Sequence, residues 1–469
     1  MHLVTTQLVC SALVGCCALA WTVSPASHAE ASLQSGTAAA DDVLTVKRDF
    51  DDLAKYLAKR NAIGADERVM LQRLLARVKP FAEKGDSTAL AMQVQIAAWL
   101  DDAAALDASY EQILAISPRN ETALTQWVAG LTRRCEYERA IGEVNKRYTD
   151  MASAPKLTIA LVETLVAANR LLDAKSMLDG IADVVNARPD LQATYKSARQ
   201  RVDLLTPRWQ LEESLREAER AKDDLPRVEI VTSRGPILIE LFEDQAPNTT
   251  AAFIGFVESG LYPGTRFHKR FPGLAVLGGD PNTKVGAGIG ASAGTEERPG
   301  SALPGHGSPG YRVPDESVRS DHRFPFGATI GLAKALAPPA PPQPGQPLPP
   351  RTVENTAGSG FFILLAPAEH LDREFTMFGR VVDGFDVVAK LATTRGTADE
   401  IVTANVVRKR PHEYRVTQSP ELPNAPELTI LLPTPTVTMP EITRGRGPLP
   451  PGARIPGQPA PGQPIPVQR

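Results

Sequence analysis

The apolar residues of this 469-residue chain change their period once, at Leu225-Pro226, and no single architecture accommodates both periods. Before that point they recur at helical spacing, as in Val69, Leu71, Leu74, Leu75 and Val78, with Arg and Lys filling the other face. After it come short β-branched runs, Val228-Glu229-Ile230-Val231 and Ile237-Leu238-Ile239-Glu240-Leu241, separated by the turn Ser233-Arg234-Gly235-Pro236. Length agrees with the pattern, because a chain of this size exceeds what one hydrophobic core serves. The expectation is a helical part, a strand-rich part and tails.

The helical part spans residues 41–224. Pro118, Pro155 and Pro189 punctuate it at spacings of 37 and 34 residues, and Ala140 and Ala174 also stand 34 apart. A 34-residue period resembles that of tetratricopeptide helical hairpins, which stack because one hairpin cannot bury its own apolar face. Two or three such hairpins are expected, with an ordinary helical bundle as the alternative. Residues 211–224 read as a charged, solvated connector helix with Glu and Arg at turn spacing.

Residues 1–29 have the order of a secretory signal: an apolar stretch from Leu3 to Trp21, a break at Pro25, and the small residues Ser27 and Ala29 before a cleavage point. An exported chain in the periplasm or cell envelope is expected, with residues 30–40 as a linker. Two alternatives stand beside cleavage: lipidation at Cys16, and an uncleaved apolar anchor. No other segment reaches the ~18 apolar residues of a spanning helix, so the mature chain is expected to have no membrane span. Only Cys135 lies beyond the first seventeen residues, which leaves no disulfide framework. A formal net charge of -3 gives no global attraction to nucleic acid.

Proline clusters in two places. Residues 336–351 read as an extended polyproline-like insertion, either a spacer or an arm folded over a neighbouring groove as an internal pseudo-substrate. Residues 411–469 read as a disordered Pro-rich tail, whose charges after Glu441 are all arginine and could meet an anionic surface.

Within residues 226–410, four ordered blocks stand out. They are the hairpin just described; Ala246-Pro247-Asn248-Thr249 opening a helix that Gly260 closes; Phe267-His268-Lys269-Arg270-Phe271-Pro272-Gly273-Leu274-Ala275-Val276-Leu277-Gly278-Gly279-Asp280; and Gly358-Ser359-Gly360-Phe361-Phe362-Ile363 followed by Leu371-Asp372 and Phe378-Gly379-Arg380-Val381. Asp315-Glu316, His322 and residues 327–333 fit between. This order resembles the cyclophilin-type peptidyl-prolyl cis-trans isomerases. The resemblance implies a closed antiparallel eight-stranded β-barrel with capping helices, an external groove for proline-containing polypeptide clients, and no metal or organic cofactor.

In the resemblance the catalytic donor is an arginine, and here that position is Lys269. The substrate pocket it implies comprises Phe267, Leu274, Ala275, Leu277, Ala333, Gly360, Phe362, His370, Leu371 and Phe375. Several of these depart from the family pattern: Leu274 stands for Phe, Ala275 for Met, Leu277 and Gly360 for Gln, His370 for Trp, and Phe375 for His. Strand alternation is expected to place Arg266 and Arg270 opposite Phe267, Lys269 and Phe271. The chemistry implied is isomerisation of X-Pro bonds assisting exported proteins, at a rate reduced by the flexible ammonium of Lys269. The alternative is a non-catalytic proline-peptide binding module on the helical scaffold, whose repeats would recruit a partner. Glu369, His370 and Asp372, and Asp321 with His322, combine carboxylate and imidazole but lack metal-ligand spacing with a third partner. The glycines around Gly286 and Gly288 do not follow a phosphate-loop pattern.

Overall fold

A computed structural model describes residues 42–60, 63–284, 304–337, 351–394, 396–421 and 427–433. The signal-like stretch, the linker, Gly286 and Gly288, and most of the Pro-rich insertion lie outside the described residues. Helices and sheet share one unit, Met1–Leu431, and of the second unit only Leu432 and Pro433 are described.

The helical part runs α1 (Val43–Leu57), α2 (Ala65–Ala82), α3 (Ser87–Leu100), α4 (Ala103–Ile116), α5 (Glu121–Arg133), α6 (Tyr137–Asn145), α7 (Pro155–Ala167), α8 (Leu171–Asn186) and α9 (Pro189–Lys222). Successive helices pack on one another. Side chains satisfy the first free N–H groups: Asp86, Asp102 and Asn120 accept from Ala89, Ala105 and Ala123 at 2.8, 2.9 and 3.0 Å. Pro155 and Pro189 stand at first helical positions, where a missing N–H costs nothing. Ala140 and Ala174 are both fully buried in the helical cores. On α2 the buried face is Leu71, Leu74 and Val78, while Val69 turns to solvent.

The strand part contains an eight-stranded antiparallel curled sheet. Its strands are β1 (Arg227–Thr232), β2 (Gly235–Leu241), β3 (Lys269–Phe271), β4 (Ala275–Gly278), β5 (Thr329–Leu332), β7 (Phe361–Leu364), β8 (Met377–Asp383) and β9 (Ile401–Arg408), in the order β3-β4-β7-β5-β8-β2-β1-β9. The expected closed barrel is approached without a full ladder between the edge strands. Just ahead of β3 and β9, Ile401 N donates to Thr265 O at 2.8 Å and Phe267 N to Asp399 O at 2.9 Å, around an Arg266–Glu400 bridge. Two short strands, β6 (Lys334–Ala335) and β10 (Leu428–Thr429), form a separate antiparallel pair.

Helix α10 (Pro247–Glu258) packs Phe253, Phe256 and Val257 into the sheet interior. Its first N–H groups, at Asn248 and Thr249, are accepted at 3.0 and 2.8 Å by the Glu316 carboxylate, nearly seventy residues away in sequence. Helix α11 (Phe385–Lys390) follows β8.

The segment at residues 211–224 is the helical connector expected and is mostly exposed, but one of its faces is not solvated. It is the end of α9, and Glu212 is buried at 3% exposure. Glu212 accepts from Arg323 at 2.8 and 3.0 Å; Arg323 also pairs with Glu219, Glu219 with Arg380 at 2.7 Å, and Arg380 with Glu240 at 2.5 Å. Alternating charges therefore join the helix to β8 and β2, with the Arg323 guanidinium 3.8 Å above the Phe242 ring. A sequence period reports that this helix face is polar, not that another part of the chain supplies its counter-charges.

Candidate active site

The pocket is built on one row of paired residues running across five strands. Lys269 faces Leu277, Leu277 faces Phe362, Phe362 faces Gly331, and Gly331 faces Met377. Residues in one such row project to the same face of a sheet. The neighbouring row on that face carries Phe271, Ala275 and Leu364. Together with Ala333, Leu371 and Phe375 they form an apolar cluster distinct from the sheet interior, with Leu274 packed at its edge.

Phe362 is its floor. Its ring meets Phe375 edge-on, with centroids 5.5 Å apart, and lies against β5 so closely that a Cβ on Gly331 would sit 2.5 Å from it. Glycine at 331 is what lets the ring lie there. At Gly360 an added Cβ would make only ordinary contacts, 3.9 Å from the Ala333 methyl and 4.0 Å from the Gly278 carbonyl oxygen. Opposite, Ala333 N donates to Gly360 O at 2.9 Å.

Phe267 does not belong to this pocket, contrary to expectation. It sits in the sheet interior against Phe361, with ring centroids 6.3 Å apart, and an added Cβ on Gly278 would come within 2.8 Å of its ring. The cause is local. His268 N donates to Leu277 O while Lys269 is paired with the same Leu277, so two residues face one and the alternation slips by one place. A pleat counted from Phe267 through Lys269 therefore gives the wrong face for Phe267. Arg270 does lie away from Lys269, donating to the carbonyls of Ala389 and Leu391 at 2.8 and 3.3 Å.

The two histidines of the site are both buried enough that desolvation draws their pKa down. For His268 burial outweighs the attraction of Asp280. For His370 burial outweighs a hydrogen bond to the Leu431 carbonyl at 3.1 Å. Each is thereby kept neutral near pH 7, and the Nε2–H of His370 is a donor. Lys269 is partly exposed, its ammonium 5.3 Å above the Phe271 ring and 2.8 Å from the Glu427 carboxylate.

The helical part supports the rim. Arg201 on α9 donates to Glu369 at 2.8 Å and to the Pro367 carbonyl at 3.1 Å, beside His370, and Tyr137 donates to the Leu365 carbonyl at 2.7 Å. Leu365 N in turn bonds Leu274 O at 2.8 Å. None of these supports has a motif of its own in the sequence.

The segment after residue 410, expected to be disordered, packs on the sheet where it is described. Tyr414 and Val416 join the interior cluster, Arg312 and Ser419 exchange backbone hydrogen bonds of 2.9 and 2.8 Å, and Leu428, Ile430 and Leu431 are buried in the pocket cluster itself. Apolar residues at 428, 430 and 431 were the signal that could have revealed this, but the surrounding prolines hid it. Among the described residues no group of three or more metal-ligating side chains is present, and no helix is long and apolar enough to cross a membrane.

Chemically, the site offers an apolar floor, a short strand whose backbone can pair with an extended peptide, and one ammonium at the rim. The sequence model of the family "Cyclophilin type peptidyl-prolyl cis-trans isomerase/CLD" matches residues 227–410. Peptidyl-prolyl cis-trans isomerase ppi1 of Schizosaccharomyces pombe is 32% identical over 171 residues, covering 36% of this chain and 88% of the relative. A peptidyl-prolyl cis-trans isomerase of Synechococcus elongatus is 30% identical over 176 residues, covering 38% and 92%. A crystal structure of a cyclophilin type isomerase from Cryptosporidium parvum, obtained in the presence of dipeptide ala-pro, is 24% identical, covers 39% of this chain and 99% of that one, and superposes with a TM-score of 0.29.

Proposed function

The chain belongs to the cyclophilin-type peptidyl-prolyl cis-trans isomerase family, and from that premise we propose that its groove binds proline-containing polypeptides and turns their X-Pro bonds. An X-Pro bond interconverts slowly because amide resonance is lost at the transition state, against a barrier of ~18–20 kcal/mol. A catalyst must favour the twisted amide over both planar forms. The Phe362 floor grips the prolyl ring, and the Lys269 ammonium donates to the prolyl nitrogen as its lone pair emerges. No nucleophile or general base is required.

The row that sets Lys269, Leu277 and Phe362 on one face carries this reading. Lysine lacks the planar fork of guanidinium, so turnover is lower than an arginine would give. The apolar stretch from Leu3 to Trp21 with Ser27 and Ala29 supports an exported chain and clients outside the cytoplasm. The 34-residue spacing in the helices supports a tetratricopeptide-like scaffold that recruits those clients or a partner.

The test is a protease-free isomerisation assay on a prolyl peptide, comparing the wild type with Lys269→Ala and Phe362→Ala. Catalysis in the wild type that both substitutions diminish is expected. Background rates in all three, and also in a full chain carrying Leu428→Asp, reject catalysis in favour of a binding module.

A further inference from the structure

We propose that residues 427–431 are the resident ligand of the groove, a strand supplied in cis that a client must displace. The proposal rests on the reading of this groove as the peptide-binding site. It concerns what governs access to that site.

Five contacts seat the segment. Its backbone pairs antiparallel with β6, Leu428 against Ala335 and Thr429 against Lys334, as an extended peptide adds to an exposed strand. Leu428 N donates to Gly305 O at 2.7 Å, and the Leu431 carbonyl accepts from His370 at 3.1 Å. Leu428, Ile430 and Leu431 enter the cluster of Phe362, Leu277 and Phe375 at 3%, 1% and 7% exposure. At the rim the Glu427 carboxylate takes Lys269, the ammonium that the proposed chemistry needs free.

The segment is also held close by. Residues before it are fixed to the body: Thr417 N donates to Asn248 Oδ1 at 2.7 Å, Ser419 pairs with Arg312, and Glu421 accepts from the buried Arg312 at 3.3 Å. Only residues 422–426 separate Glu421 from Glu427, so re-entry is intramolecular at a local concentration that a short tether places near the millimolar range. Glu427-Leu428-Thr429-Ile430-Leu431 contains no proline. It fills the groove without offering a bond to turn, and therefore acts as an inhibitor. The insertion at residues 336–351, a spacer or an internal pseudo-substrate by its sequence, lies mostly outside the described residues; the occupant inferred for the groove belongs to the tail.

Two measurements on the full chain test this. The first is binding of a fluorescent peptide of residues 426–433, added in trans to the wild type, to Leu428→Asp/Ile430→Asp and to the milder Glu427→Lys. The double variant is expected to bind at least about tenfold more tightly than the wild type, as loss of an intramolecular competitor requires, with Glu427→Lys between them. A gain of similar size in catalysed isomerisation should accompany it. The second, on the wild type alone, is amide hydrogen exchange, in which Leu428 and Thr429 are expected to be protected. Equal trans affinity in all three chains, or unprotected amides at residues 428 and 429, overturns the proposal. Background isomerisation throughout with the tenfold difference in binding intact leaves it standing and removes the catalytic reading instead.

Discussion

Lys269 Nζ and Glu427 Oε1 stand 2.8 Å apart, although 158 residues of chain separate them. The ion pair is a lock on register more than a source of stability, because its side chains are 37% and 47% exposed. Such pairs contribute ~0–1 kcal/mol. Glu427→Gln should therefore leave the melting temperature nearly unchanged while freeing the ammonium, and thermal unfolding followed beside isomerisation rates checks both halves.

Lys269→Arg restores a planar, always charged donor at the same row position. A gain of ~1 kcal/mol in transition-state stabilisation would raise kcat about fivefold. The expected result is a higher kcat with little change in KM, measured on a short prolyl peptide, and a fall in kcat would show that the side chain at 269 is not the donor.

Gly331→Ala places a Cβ 2.5 Å from the Phe362 ring, so the pocket floor must move. Overpacking of this kind costs ~1–3 kcal/mol. Urea unfolding should register that loss, and the near-ultraviolet circular dichroism of the aromatic cluster should change with it.

Arg323→Met leaves Glu212 buried with one of its two arginines gone. Breaking a buried pair on one side costs ~3–5 kcal/mol. Burial pushes the Glu212 carboxyl up, but Arg323 and Arg216 together bring it below its ordinary 4.5. That contribution is present above pH 4.5 and lost as pH falls through the lowered value. Wild-type stability should fall steeply in this acid range, and the variant should show a shallower slope.

The histidines act in a different window. His370 is held below its ordinary 6.5 by burial, so the folded chain binds fewer protons there than the unfolded one. Its contribution is whole above pH 6.5 and is withdrawn as pH falls toward the lowered value. Stability toward urea should fall across the same window, and unfolding followed between pH 7 and pH 5.5 measures it. His370→Gln, which keeps a donor, should flatten that dependence.

The period change at Leu225-Pro226 and the ordered blocks around Phe267, Phe362 and Phe378 made the strand part readable from sequence, because strand pairing imposes local spacing that survives in the text of the chain. Lys269, Ala275, Leu277 and Phe362 could be grouped for the same reason. Phe267 could not, since a single extra residue opposite Leu277 inverts the pleat and leaves no compositional mark. Arg201 and Tyr137 were invisible as site supports, each meeting partners more than a hundred residues away. The tail misled for a compositional reason: prolines on both sides describe the flanks, and five residues between them are enough to fill a groove.

The Glu212–Arg323 contact bears on autonomy. Phe326, a few residues on, is fully buried against Trp209 of α9 at 4.9 Å between centroids, and the match to the family begins only at Arg227. Residues 227–410 expressed by themselves would present bare phenylalanines and an orphaned guanidinium to solvent, a recipe for a sticky fragment. In this protein the isomerase-like module and its helices share one compact unit, and buried contacts cross the border at which the family match begins.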